Sequence, residues 1–109
     1  MPYDEAIENR IKKIVSKLKN CEARKMFGGL CYLLDGHMFC GVYKDYLILR
    51  MGEPTSKETL KSSFARPFDI TGRPMKGWVM LGKEGFKSED ELKDWLEKAE
   101  KFVRTLPPK

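Results

Sequence analysis

The sequence predicts an α+β fold of two layers, in which helices cover one face of a five-stranded antiparallel sheet in the order α-β-β-β-α-β-β-α. Two observations carry most of this. Apolar stripes at helical spacing stand at both ends of the chain, and between them apolar runs flank Asp35-Gly36. That dipeptide takes positive φ readily at both positions, which suits a two-residue hairpin turn. Strands gathered into hairpins expose an apolar face, and the helices supply its cover.

Each element follows from its own residues. Ile7, Ile11, Ile14, Val15 and Leu18 recur every three or four residues, with Arg10, Lys12, Lys13, Lys17 and Lys19 between them. This predicts an amphipathic helix over residues 4–19, ending near Asn20. Asp4 and Glu5 at its start and lysines near its end suit the helix dipole. From Arg24 to Arg50 the texture is that of strands. Residues 30–34 and 38–43 flank the turn, and residues 46–49 follow after Lys44-Asp45, giving a three-stranded meander. Gly28-Gly29 inside the first strand predicts a bulge or a close backbone approach.

Gly52-Glu53-Pro54 breaks the strand pattern, and residues 56–64 predict a short helix with Leu60 and Phe64 one turn apart. Residues 65–70 and 77–81 predict two further strands joined by a turn at Thr71-Gly72-Arg73-Pro74, and residues 82–87 predict a loop. Ser88-Glu89-Asp90-Glu91 is a capping box, in which the serine caps the helix and the second glutamate reaches back to it. Leu92, Trp95, Leu96, Ala99, Phe102, Val103 and Leu106 then hold one apolar stripe until Pro107-Pro108 stops the helix.

At 109 residues the chain is expected to form a single domain over residues 1–109, with no room for two independently packed ones. A chain of this size buries roughly 65% of its unfolded surface, enough for one core without covalent staples. The net charge is +5, which bears on solubility and steering more than on identity. Its distribution narrows the choice: residues 1–25 carry seven basic and four acidic side chains, and residues 88–109 carry five and six. Without a run of consecutive lysines or arginines there is no basic tail for nucleic acid. The three cysteines form an odd set, and the start of the chain runs into a charged helix without an apolar stretch. A reducing, cytoplasmic setting is therefore expected.

Two stretches carry a resemblance. Lys25-Met26-Phe27-Gly28-Gly29-Leu30, with the hairpin Asp35-Gly36-His37-Met38-Phe39-Cys40-Gly41-Val42, resembles the opening of the TfoX/Sxy N-terminal domain. Arg66-Pro67-Phe68-Asp69-Ile70-Thr71-Gly72-Arg73-Pro74-Met75-Lys76-Gly77-Trp78-Val79 is similar to that family's second signature. With the flanking helices, the resemblance covers nearly the whole chain. It implies an α-β3-α-β2-α fold of the secretion-chaperone-like kind and a bacterial-type regulatory role. Full-length members are implicated in inducing natural competence, with transcription machinery such as the cyclic-AMP receptor protein as partner. On this reading the chain is expected to be a stand-alone N-terminal domain, without their C-terminal helical domain.

Several residue groups invite chemistry. A two-residue turn at Asp35-Gly36 would set Cys31 directly opposite Cys40 as a non-hydrogen-bonded pair, with Cα atoms about 4.5 Å apart. That is a possible redox pair, near the lower limit for a disulfide; the alternative is two small apolar residues packed beneath a helix. His37 is expected on the face away from both cysteines, solvated beside the turn, so neither a zinc site nor a catalytic pair assembles around it. The glycines lack the lysine and hydroxyl residue of a phosphate loop. The lysines of the first helix read as a solvated face.

Segment 66–78 is the best candidate for binding. Arg66, Arg73, Lys76 and Trp78 sit among prolines and glycines, and arginine with aromatic side chains on a rigid turn is hot-spot chemistry. The competing structural account has Phe68 and Trp78 filling core and Arg73 paired with Asp69. The sequence thus points to a non-enzymatic regulatory domain without cofactor or metal, acting by protein–protein contact as a monomer or homodimer. The alternatives are a weak nucleic-acid-associated module using Arg66, Arg73 and Lys76, and a small redox-responsive domain using Cys31 and Cys40.

Overall fold

The computed structural model describes residues 3–107 except 27, 70, 71 and 74. Its elements run α1 (Glu5–Val15), β1 (Cys21–Met26), β2 (Gly29–Leu34), β3 (His37–Tyr43), β4 (Tyr46–Arg50), α2 (Glu53–Thr59), β5 (Ala65–Pro67), β6 (Trp78–Leu81) and α3 (Glu89–Val103). All strand pairings are antiparallel, and the sheet order is β1-β2-β3-β4-β6-β5. The α+β class is as predicted, but the sheet has six strands instead of five.

The sixth strand comes from the glycine pair. Met26 pairs with Gly29, and Gly28 has φ +79°, so the chain reverses there and does not bulge. What reads as one long strand is a hairpin, because only two residues separate its closing pair and glycine accepts the left-handed conformation. Two helices also shift. Asp4 caps α1, accepting hydrogen bonds from the N–H groups of Ala6 and Ile7 at 2.8 and 3.2 Å. The helix ends at Val15, and Leu18 packs against the core from the turns that follow. Pro54 lies in the first turn of α2, where no intrahelical N–H is needed, so the residues that break the strand pattern also start the helix, which runs over Glu53–Thr59 and not over 56–64. The capping box at Ser88 and Glu91 closes as predicted, with reciprocal bonds of 3.1 and 3.0 Å. Ile70, Thr71, Pro74 and Pro108 lie outside the described residues, and with them half of the expected turn at 71–74.

The main core lies between the sheet and the helices α1 and α3. Ile7, Ile11 and Val15 meet Leu92, Leu96, Ala99 and Val103 above Tyr32, Leu34, Phe39, Cys40, Leu47, Leu49, Val79 and Leu81. Each fully buried leucine or isoleucine contributes about 1.5–3 kcal/mol. Two arginines tie the layers at their rims. Arg10 donates to the carbonyls of Phe86, Lys87 and Ser88 and meets Glu89 at 3.2 Å. Arg104 meets Asp35 at 3.2 Å, while Asn20 donates to the same carboxylate at 3.0 Å.

The hairpin β2–β3 corrects the cysteine register. Leu34 faces His37 and Leu33 faces Met38 as expected, but Tyr32 then faces Cys40, and Cys31 faces Gly41. Phe39 is the extra residue of a β-bulge, and both Phe39 and Cys40 enter the helix-side core. Cys31 therefore points to the other face of the sheet, and Cys40 and Cys31 are not a cross-strand pair. All three cysteines are free thiols. His37 is likewise not solvated: it lies opposite Leu34 on the helix side, only 9% exposed, on the same face as Cys40. Its Nε2 is 2.6 Å from the carbonyl oxygen of Pro107, which can only accept, so that nitrogen carries the proton.

Two outcomes follow from this packing. Burial pushes the Cys31 thiol up to about 12 and the Cys40 thiol well above its ordinary value, leaving almost no reactive thiolate at pH 8. A maleimide followed by mass spectrometry is expected to label half-buried Cys21 first, and Cys31 and Cys40 only when denaturant opens the sheet. Comparable native labelling of all three would contradict the register. At Gly41, a β-carbon would stand 2.6 Å from the Leu30 carbonyl oxygen and 3.2 Å from the Cys31 Cα, both backbone atoms. Gly41→Ala is expected to cost about 1–3 kcal/mol of stability, read as a lower denaturant midpoint at unchanged slope.

Candidate interaction surface

The pairings place Arg24, Cys31, Gly41, Ile48, Met80 and Arg66 in one continuous row across all six strands. Because side chains alternate along a strand, this row and its neighbours two residues away form the face turned from α1 and α3. Ile48, Phe68 and Met80 are buried there, with half-buried Met38, Tyr43, Tyr46 and Trp78 around them. The Phe68 and Trp78 rings lie 5.5 Å apart, tilted by 32°. This second cluster is smaller than the first, and it leaves Tyr43, Tyr46 and Trp78 only half-buried.

Cations sit on those rings. The Arg50 guanidinium lies 5.5 Å from the Trp78 centroid and 5.8 Å from that of Phe102, which comes from α3. Arg66 lies 5.9 Å from the Tyr46 ring, and Lys44 lies 5.5 Å from that of Tyr43. A guanidinium held over an aromatic face gains attraction without losing its hydrogen-bonding edge. Clefts run beside these pairs. Tyr46 and Arg66 form a common wall between a space of about 440 Å³, which reaches Lys83 and Glu84, and one of about 420 Å³, which reaches Lys44 and Asp69. Lys76, Trp78 and Arg50 line a third, of about 420 Å³.

The residues singled out in the sequence thus divide among three places. Arg66 belongs to the ridge with Tyr46, and Lys76 and Trp78 share a cleft with Arg50. Arg73 stands apart and exposed, near exposed Met75. The expected pairing of Arg73 with Asp69 is not formed: the Asp69 carbonyl accepts the Gly72 N–H at 2.9 Å, and no ion pair joins the two side chains among the described residues. Sequence reasoning passed over Tyr43, Lys44, Tyr46 and Arg50. Alternation along β4 carried the signal, since it puts Tyr46, Ile48 and Arg50 on one side. Among the described residues no three histidine, cysteine or acidic side chains gather as a metal site, and no helix is long and apolar enough to cross a membrane.

A comparison with curated proteins yields no match. The family model described as the TfoX N-terminal domain matches residues 13–103, a span that begins within α1 and ends with α3. The order of elements, the paired signatures and this match agree, and the chain belongs to the TfoX N-terminal domain family.

Proposed function

We propose that this TfoX N-terminal domain is a non-enzymatic regulatory module that works by protein–protein contact through the face of its sheet turned from α1 and α3. The observation that supports this reading is the set of half-buried aromatics carrying arginine on their faces: Tyr46 with Arg66, and Trp78 with Arg50. Aromatic and arginine side chains held rigid at the surface are the residue types that dominate binding energy at protein interfaces. The stacking leaves each guanidinium with little entropy to lose when it meets a carboxylate through two parallel hydrogen bonds. Family membership directs the proposal to transcriptional regulation, with machinery such as the cyclic-AMP receptor protein as the partner and competence as the process. The setting proposed is the cytoplasm.

Nucleic acid is the weaker reading. Asp45, Asp69, Glu53 and Glu84 line the same clefts as the cations, so the surface does not offer the continuous positive groove that follows a phosphate backbone. Affinity for duplex DNA is expected at about 10⁻⁴ to 10⁻⁶ M at physiological salt.

Arg66, on the ridge with Tyr46, and Arg73, in the connection that leaves buried Phe68 of the same cluster, test the proposal. Both are exposed, and Arg73 has no side-chain contact with Asp69 to lose. Each alanine variant should shift unfolding by no more than about 0.5 kcal/mol. Each should lower affinity for the captured partner by about 1–3 kcal/mol, roughly 5- to 150-fold. Affinity capture from a cell extract, run beside thermal melts, reads both quantities. Unchanged capture by both variants would sink the proposed docking face.

A further inference from the structure

The sheet has two edges, and they differ. The β5 edge is three residues long and contains Pro67, which cannot donate a ladder hydrogen bond. The β1 edge is six residues long and has no proline. Its outward groups follow from the ladder. Asp35 N–H donates to the Asn20 carbonyl at 3.1 Å, and these residues stand directly opposite each other in the register of β1 with β2. Hydrogen-bonded pairs therefore recur at Glu22 with Leu33 and Arg24 with Cys31. The backbone N–H and C=O groups of Cys21, Ala23 and Lys25 then point away from the sheet, and none of them makes a hydrogen bond among the described residues. Glu22, Ala23, Arg24 and Lys25 are all exposed.

An open edge of this kind takes another strand, and the side chains say which. Glu22-Ala23-Arg24, read antiparallel against itself, is its own complement. With Ala23 opposite Ala23 of a second copy, each Glu22 faces the other copy's Arg24, and the three outward-pointing residues meet in hydrogen-bonded positions. Within one chain Arg24 already holds Glu22 at 2.9 Å, with both side chains more than half exposed, so the two charges lie side by side on the same face. We propose that β1 pairs with β1 of a second copy about a two-fold axis at Ala23, joining two sheets into one of twelve strands. The closed β5 edge ends the assembly at two copies, since a two-fold contact uses β1 once and leaves no further open strand. The pairing leaves the aromatic face free and extends it, with the paired Glu22 and Arg24 side chains at its centre.

The test is sedimentation of the full chain at rising micromolar concentration. The expected species has twice the 12.7 kDa of the monomer. Ala23→Pro removes an outward N–H that β2 does not use, so it is expected to give a monomer with an unchanged melt. Glu22→Arg sets two like-charged pairs across the axis and is expected to weaken dimerisation at least tenfold, and adding Arg24→Glu restores it. Ala23→Cys is expected to form an intermolecular disulfide at the axis, because hydrogen-bonded partners stand about 5.5 Å apart at Cα. A wild-type monomer throughout the range would overturn the proposal, as would a dimer that survives Ala23→Pro or a charge-reversed double variant that stays apart. The charge variants decide the matter if the proline variant does not fold, since both of their positions are exposed.

Discussion

In β3, Phe39 and Cys40 both answer to Tyr32 across the hairpin, and the rest of the sheet depends on this one extra residue. Without it, Cys31 would face Cys40, and the residues of β3 after the bulge would turn to the wrong side. With it, Val42 points to the helices and Gly41 to the opposite face, so Leu47 and Leu49 follow into the core and Ile48 away from it. A single-residue slip exchanges the two faces of a strand, so the bulge decides which residues of β3 and β4 are core and which are surface. Phe39, fully buried, holds it in place, because pairing without the bulge would turn its neighbour Cys40 out of the core.

The two faces then differ in kind. On the helix side, α1 and α3 complete a continuous core, and arginines seal its rims: Arg10 against the carbonyls that lead into α3, and Arg104 against the Asp35 turn. These contacts bind backbone groups and turn residues far apart in sequence, which holds the layers in one relative position. On the other side a cluster of three buried residues supports a ring of half-buried aromatics. Such a surface is rigid because it is built on strands, and it is incompletely buried because, among the described residues, no helix contributes to its cluster. Those two properties together are the ones a recognition surface needs, which is why the proposed docking face was placed there.

The chain's basic character takes a local meaning in this arrangement. Arg50, Arg66 and Lys44 do not form a patch; each is placed over an aromatic ring, with acidic side chains in the adjoining clefts. On the proposed function, alternating charge of this kind would favour a partner with a matching pattern over a uniform polyanion. At the β1 edge the same alternation, Glu22 and Arg24 about Ala23, matches a copy of itself.

The sequence alone determined what depends on short-range order. The helix stripes, the Ser88 capping box, the Asp35-Gly36 turn and the family signatures are all written within a few residues, and α3 and the β2–β3 hairpin stand where they were expected. The α+β class followed from these pieces. Tertiary structure decided what depends on strand pairing. Gly28 turns the chain because β1 has β2 to pair with; a glycine pair in isolation serves a bulge equally well. Phe39 is extra only because the helix-side core takes both its ring and Cys40, which moves Cys31 to the far face. His37 looks solvated beside a polar turn, yet the residues after α3 reach over it, and the Pro107 carbonyl accepts a hydrogen bond from its Nε2–H. The candidate surface was half legible: segment 66–78 supplied Arg66, Lys76 and Trp78, but Tyr46 and Arg50 joined them only when β4 was laid beside β6. Contacts across the sheet have no sequence spacing, and register alone assigns them.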